Sequence, residues 1–258
     1  MIATVEHQDR KFKIDLHKPI DISMPLLASE KCASAWYVNP MTIEPVMANG
    51  FVGSVEKGGA VNFRNIFFNP HGNGTHTECV GHIAQEVYSL NKNLTQFYFL
   101  AELVTVNPIE LTEDVDLQKR GYRIITLDQI KEALGSKVPE AIIIRTTPNP
   151  VSKKELNYSD TNPPYLCDKA AKHIHDLGIK HLLIDLPSVD AEVDGGRLLS
   201  HREFWNYPEN TKMDRTITEL IYVKDSVEDG EYFLSFQITS LENDASPSKP
   251  ILFEIENL

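Results

Sequence analysis

Cysteine is scarce: three residues, Cys32, Cys79 and Cys167, lie far apart in a chain of 258. An odd number without close pairs excludes a disulfide framework and a Cys-x-x-Cys metal or redox pair. No uninterrupted apolar run reaches roughly 18 residues, which excludes a hydrophobic membrane-spanning helix. Positive charge is in deficit. The 25 Lys and Arg stand against 37 Asp and Glu, a formal net charge of −12, which argues against nucleic acid or an anionic membrane as partner. Glycine-rich phosphate-binding patterns are missing, and no Gly-x-Ser-x-Gly elbow offers a serine nucleophile. Met1 to Arg10 contain no apolar core of a secretory signal, so the expected location is the cytoplasm. No repeat, low-complexity tract or linker divides the chain, and one domain over residues 1–258 is expected. Hydrophobic residues make up 41%, enough for a core without covalent staples.

What is present is concentrated in Asn69-Pro70-His71-Gly72-Asn73-Gly74-Thr75-His76-Thr77-Glu78-Cys79-Val80-Gly81-His82. Pro70, Gly72 and Gly74 mark irregular backbone. If the chain is extended after Gly74, alternation puts His76, Glu78 and His82 on one face and Thr75 and Thr77 on the other, with His71 reaching over from the loop. Imidazoles and a carboxylate converging on one point suit a borderline divalent cation such as zinc. Cys79 is turned away from the even-numbered residues and reads as a packed small hydrophobe.

The chain around this motif alternates strands and helices. Lys11–Leu16 and Ala60–Phe68 read as strands. Residues 27–58 have no period and read as a long irregular binding or lid loop carrying Trp36 and Tyr37. Phe99–Val106 and Ala141–Arg145 are continuous apolar runs of the kind found in strands buried on both faces. Thr126 and Gln129 form a capping box that opens a helix closed by Gly135. Residues 148–164 are polar and proline-rich and read as a surface loop. Tyr165–Leu177 reads as a helix and Ile179–Leu186 as a strand, so the two strands flanking it are expected to be parallel neighbours. His173 and His175, two apart on that helix, point different ways and read as surface residues. Glu219 interrupts the β-rich run Thr216–Val223; it either faces water from an edge or is buried with a partner or a metal. Tyr232–Ile238 and Ile251–Ile255 read as the last strands.

These segments together resemble the metal-dependent cyclase and arylformamidase-like hydrolases, a family that includes kynurenine formamidase and isatin hydrolase. Gly74, Thr75, His76 and His82 match the family motif His-x-Gly-Thr-His-x-Asp-x-Pro-x-His in spacing. His71 stands one residue further from Gly74 than the family's first His, Glu78 replaces Asp, and Val80 replaces Pro. Ile14-Asp15-Leu16-His17 with Met24-Pro25, Ile184-Asp185-Leu186-Pro187-Ser188-Val189-Asp190, His201 with Glu219, and Asp244-Ala245-Ser246-Pro247 are similar to further family segments in matching order.

The resemblance implies an α/β domain with a mainly β core, a mixed sheet and flanking helices, usually oligomeric, here a dimer or tetramer. It implies a divalent metal, zinc first and manganese second, as one or two ions held by His71, His76, Glu78, His201 and Glu219. His82 would be the proton shuttle, and Glu219 a second catalytic candidate. The implied activity is hydrolysis of an amide-type C–N bond of a small molecule, arylformamidase-like or cyclic-amide-opening. The alternatives are a non-catalytic small-molecule or metal-binding protein on the same scaffold, and a closed structural metal. Residues 27–58 and 148–164 are where substrate specificity would reside.

Overall fold

The computed structural model describes residues 1–115 and 119–258. Its centre is a mixed sheet whose strands, in chain order, are β1 (Ile20–Asp21), β2 (His76–Glu78), β3 (Tyr98–Val106), β4 (Ala141–Thr146), β5 (His181–Ile184), β6 (Thr216–Glu219), β7 (Gly230–Ile238) and β8 (Ala245–Glu254). They lie in the order β7-β3-β4-β5-β6-β2-β8-β1, and β7 also pairs with β8, so seven strands close into a barrel. β3, β4, β5 and β6 are parallel. β2, β7 and β8 join them by antiparallel pairings. The expected α/β fold with a mixed sheet is what forms.

The apolar runs have two buried faces for a specific reason. Ile142 and Ile144 of β4 face the helices and meet Ile130, Leu134, Ala170 and Ile174. Ala141 and Ile143 face inward and meet Phe99, Leu183 and Phe236. The longer helices are α1 (Leu127–Leu134), α2 (Asp168–Asp176) and α3 (Leu199–Trp205). The capping box of α1 is present in full, and Gly135 after it has φ +57°. Among the described residues no helix is long and apolar enough to cross a membrane.

Several elements differ from the sequence reading because tertiary pairing outcompetes local pattern. Tyr165 and Leu166 pair with Ile124 and Ile125 as a short strand, so α2 starts only at Asp168. The stretch 148–164 is not a surface loop throughout. Lys153 is buried, and its Nζ donates to Asp185 Oδ2 at 2.9 Å and to the Thr146 carbonyl at 2.8 Å. Burial raises the Asp185 carboxyl despite that ammonium. The strand read at Ala60–Phe68 spans only Arg64–Phe67, and the last barrel strand begins at Ala245, well before Ile251. Residues 27–58 are not wholly irregular: Thr42–Pro45 pairs with Arg64–Phe67, and Met47–Ala48 pairs with Phe51–Val52.

One buried histidine makes stability pH-dependent. His181 lies inside the barrel, 4.0 Å from the Phe99 ring, with Nδ1 2.9 Å from Thr216 Oγ1. Burial lowers its pKa to about 3. The unfolded chain, with an imidazole near 6.5, binds the proton more readily, so stability is lost as pH falls from about 6.5 towards 3. This group is expected to contribute up to ~1.4 kcal/mol per pH unit across that window. In His181→Asn, whose amide keeps a partner for Thr216, denaturant titrations should show a slope shallower by that amount; equal slopes would rule the account out.

Candidate active site

Glycines and a threonine bring the motif onto the barrel wall. Gly74 has φ +67°, and a Cβ there would lie 2.6 Å from Leu26 Cδ2. Thr75 Oγ1 accepts from the Met24 amide at 2.7 Å and donates to the Leu220 carbonyl at 2.5 Å. The chain then runs extended as β2 between β6 and β8, with Glu219 opposite His76 and Ile217 opposite Glu78. Alternation sends His76 and Glu78 to one face. Thr77 takes the other, where its hydroxyl meets that of Thr218 at 2.7 Å. Ile217 packs with Phe204 and Trp205 of α3, so the face bearing His76, Glu78 and Glu219 looks outward towards that helix. The site therefore lies between barrel wall and α3, not inside the barrel.

The expected alternation does not extend to His82. Val80–His82 form one 3-10 turn, and this turn carries His82 back to the cluster. Its Nδ1 lies 3.9 Å from Glu78 and 3.7 Å from Asp244, and its ring stacks on His71 with centroids 4.2 Å apart. Gly81 is needed beside it, because a Cβ there would sit 2.5 Å from the Tyr88 carbonyl oxygen and 3.0 Å from Asp244 Cβ.

His71 reaches in from the preceding loop, where Asn69 Oδ1 accepts from the amides of His71 and Gly72. Its Nδ1 lies 3.0 Å from Glu78 Oε2 and its Nε2 2.8 Å from Asp244 Oδ2. The one-residue displacement has a steric cause. A Cβ at Gly72 would lie 2.6 Å from Val38 Cγ2 and 3.0 Å from the Ala35 carbonyl oxygen, so the position matching the family's first His has no room for a side chain.

Helix α3 supplies His201. Its Nε2 lies 3.1 Å from Glu78 Oε1, and its Nδ1 lies 2.6 Å from Asp190 Oδ2. Asp190 Oδ1 also accepts from the Ser200 amide at 2.8 Å, so one carboxylate holds both the imidazole and the start of the helix. Glu219 is buried; Oε1 accepts from the Val189 amide at 3.0 Å, and Oε2 lies 3.4 Å from His76 Nε2. His71, His76, Glu78, His82, His201 and Glu219 thus converge from three separate stretches of chain. Asp190 and Asp244 belong with them, through His201 and His71 respectively. Their signal in the sequence was their place in the matching segments, which says nothing of what they touch.

Opposed charges set the protonation of this cluster. Burial opposes charge on Glu78, yet His82, His201 and His71 hold its carboxyl well below the ordinary range. Burial would lower His71, but Asp244 and Glu78 outweigh it and raise the imidazole to about 10. His201 is likewise raised, against burial, by Asp190 and Glu78. The hydrogen bond to His71 and the nearby His82 hold Asp244 low.

His76 shows what the cluster needs. Its Nδ1 lies 3.1 Å from the Gly74 carbonyl oxygen, which can only accept, so the ring proton is on Nδ1. Nε2 is fully buried, has no hydrogen-bond partner among the described residues and lies 3.4 Å from Glu219 Oε2. A buried nitrogen and carboxylate left without a hydrogen bond are stabilised by positive charge between them, which a proton or a metal ion can supply. The donor atoms of His71, His76 and Glu78 lie within 4.8 Å of one another, as do those of Glu78, His82 and His201 and those of His71, His82 and Asp244. The residues fit a divalent metal, and the nitrogen and oxygen donors suit zinc or manganese.

Asp190 would act on such an ion only through His201, fixing its tautomer and aim. Asp190→Asn is expected to weaken metal affinity about 10–100-fold with the fold retained. Metal titration checks this, and unchanged affinity would make Asp190 a helix cap and nothing more.

A cavity of about 360 Å³ opens over the cluster, and its lining includes His71, His82, His201 and Glu219 together with Trp36, Val38 and Leu198. Its volume suits a small organic molecule.

Comparison with known protein families matches residues 14–191 to a model described as "Putative cyclase". A search of curated proteins finds no match. Among solved structures, isatin hydrolase A from Labrenzia aggregata is 13% identical and superposes with a TM-score of 0.64, covering 92% of this chain and 93% of that one. Isatin hydrolase A from Ralstonia solanacearum is 13% identical with a TM-score of 0.62, covering 92% and 91%. A "Potential Metal-Dependent Hydrolase With Cyclase Activity" is 16% identical with a TM-score of 0.61, covering 92% and 98%. At these identities the likeness is one of fold.

Proposed function

The chain belongs to the cyclase family, and from that premise we propose that it is a metal-dependent hydrolase cleaving an amide-type C–N bond of a small molecule. The observation that carries this reading is the buried, unpartnered Nε2 of His76 aimed at Glu219 within a ring of imidazoles and carboxylates. His71, His76, Glu78, His201 and Glu219 would hold one or two ions. A divalent cation bound there would polarise a carbonyl and acidify water.

The chain's own groups supply the rest. Glu78 bridges His71 and His201 and sets the distance between loop and helix. Asp190 keeps the proton of His201 on Nδ1, leaving Nε2 as the inward-facing donor atom. His82, at the open side of the cluster, takes a proton from the attacking water and delivers it to the departing nitrogen, a role suited to an imidazole. Trp36, Val38 and Leu198 give the substrate an apolar wall, which favours a ring or aryl group over a purely polar amide.

A panel of aryl formamides, cyclic amides and lactones, run on metal-loaded protein, tests the reading. Turnover of one of the amides, lost on chelation and restored by metal, is the expected result. No turnover of any amide by protein holding stoichiometric metal would overturn it.

A further inference from the structure

A second cavity, of about 220 Å³, shares no lining residue with the one over the metal cluster. It lies where two neighbouring parallel strands end. Thr146 is the last residue of β4, Leu186 follows the end of β5 at Ile184, and both residues line the cavity. The carboxyl ends of parallel strands, where the loops diverge, are where such sheets form ligand sites.

The strand ends beneath it are cross-linked. Lys153 Nζ donates to the Thr146 carbonyl at 2.8 Å, and to Thr146 Oγ1 and Asp185 Oδ2 at 2.9 Å each. Asp185 also accepts from the Thr146 amide and hydroxyl, each at 2.9 Å. All three ammonium protons are thereby used, and the site is rigid before any ligand arrives. The rest of the lining is largely apolar, with Pro148, Pro150, Pro163, Pro164 and Leu156.

Two polar groups of the lining lack partners. Tyr158 is only 4% exposed, and its hydroxyl is buried with no hydrogen bond among the described residues. Such a hydroxyl costs stability, and an acceptor on a bound molecule would satisfy it. Arg123 makes no hydrogen bond or ion pair among the described residues, although Glu110 is its register partner on the adjacent strand and the chain carries 37 Asp and Glu. Among the described residues no Asp or Glu lines the cavity. An unpaired guanidinium suits a planar carboxylate, which it can grip through two parallel bonds. Size narrows the ligand further. An apolar cavity of about 150 Å³ takes benzene, so this one has room for a single ring with short substituents.

We propose that this cavity is a second ligand site, for a small aryl carboxylate whose carboxylate pairs with Arg123, whose ring packs on the prolines and whose ring substituent accepts from Tyr158. The site stands apart from the metal cluster and does not depend on the reaction proposed there. Amide NMR of the metal-loaded protein, titrated with 4-hydroxyphenylacetate, tests it. Saturable shifts are expected at Thr146, Thr147, Tyr158, Thr161 and Leu186, with a dissociation constant of about 1 mM or below. Arg123→Gln should weaken binding about tenfold or more, and Tyr158→Phe about fivefold. The neutral alcohol 4-hydroxyphenylethanol should bind at least about tenfold more weakly than the acid. Should Tyr158→Phe not fold, Arg123→Gln still decides, since it alters an exposed side chain. No shift at these five residues, shifts confined to Trp36, Val38 and His82, unchanged affinity in either folded variant, or equal binding of acid and alcohol would each overturn the proposal.

Discussion

Replacing His82 by Ala is expected to lower kcat by about 10²–10⁴-fold while leaving metal content unchanged. Within the cluster His82 is the least committed imidazole. Its Nδ1 stands beyond hydrogen-bond distance of both Glu78 and Asp244, and its side chain is more exposed than that of His71, His76 or His201. The stack on His71 fixes the ring plane without occupying a nitrogen. Such a group can exchange protons with bound molecules, whereas the buried imidazoles are held by carboxylates or a carbonyl. Metal analysis and steady-state kinetics on the same preparation separate the possibilities. Loss of metal together with activity would make His82 a ligand, and unimpaired kcat would remove it from the chemistry.

Glu78→Gln is expected to weaken metal binding by at least about 100-fold, because it removes the negative charge touched by both His71 and His201 while keeping the side-chain shape. The shorter carboxylate is a sharper probe. Glu78→Asp restores the residue found in the family motif, yet in this chain His71 is displaced because Gly72 is walled in by Val38 and Ala35. If the extra methylene of Glu78 compensates for that displacement, the Asp variant binds metal less tightly, by about tenfold or more. Isothermal titration with zinc or manganese checks both variants. Tighter binding by Glu78→Asp would overturn the match between the longer side chain and the displaced His71, and unchanged binding by Glu78→Gln would show that Glu78 is not a ligand.

Where pattern and environment agree, the sequence was readable. The Thr126–Gln129 cap, the doubly buried strands at residues 99–106 and 141–145, and the parallel pair flanking α2 all follow from local chemistry and periodicity. Where pairing partners decide, it was not. Pro247 and Pro250 disguise the start of β8, which exists because residues 245–247 lie against β2 and residues 248–254 against β7. Lys153 gives the proline-rich stretch a buried anchor that composition hides. Residues 42–52 show no period because they contribute only short, interrupted pieces of ladder.

The chain's own order of residues determined which chemistry was available: a strand that must present His76 and Glu78 on one side, and a set of imidazoles and carboxylates in matching succession. Only the tertiary structure decided that His201 and Glu219, far along the chain, would close on that side. It alone brought in Asp190 and Asp244, and it gave the displacement of His71 its reason, the lack of room for a side chain at Gly72. The reason is physical. Alternation along a strand is a local property of the backbone, whereas convergence across the barrel wall depends on strand order and helix packing, and on a collision at Gly72 with atoms more than thirty residues away.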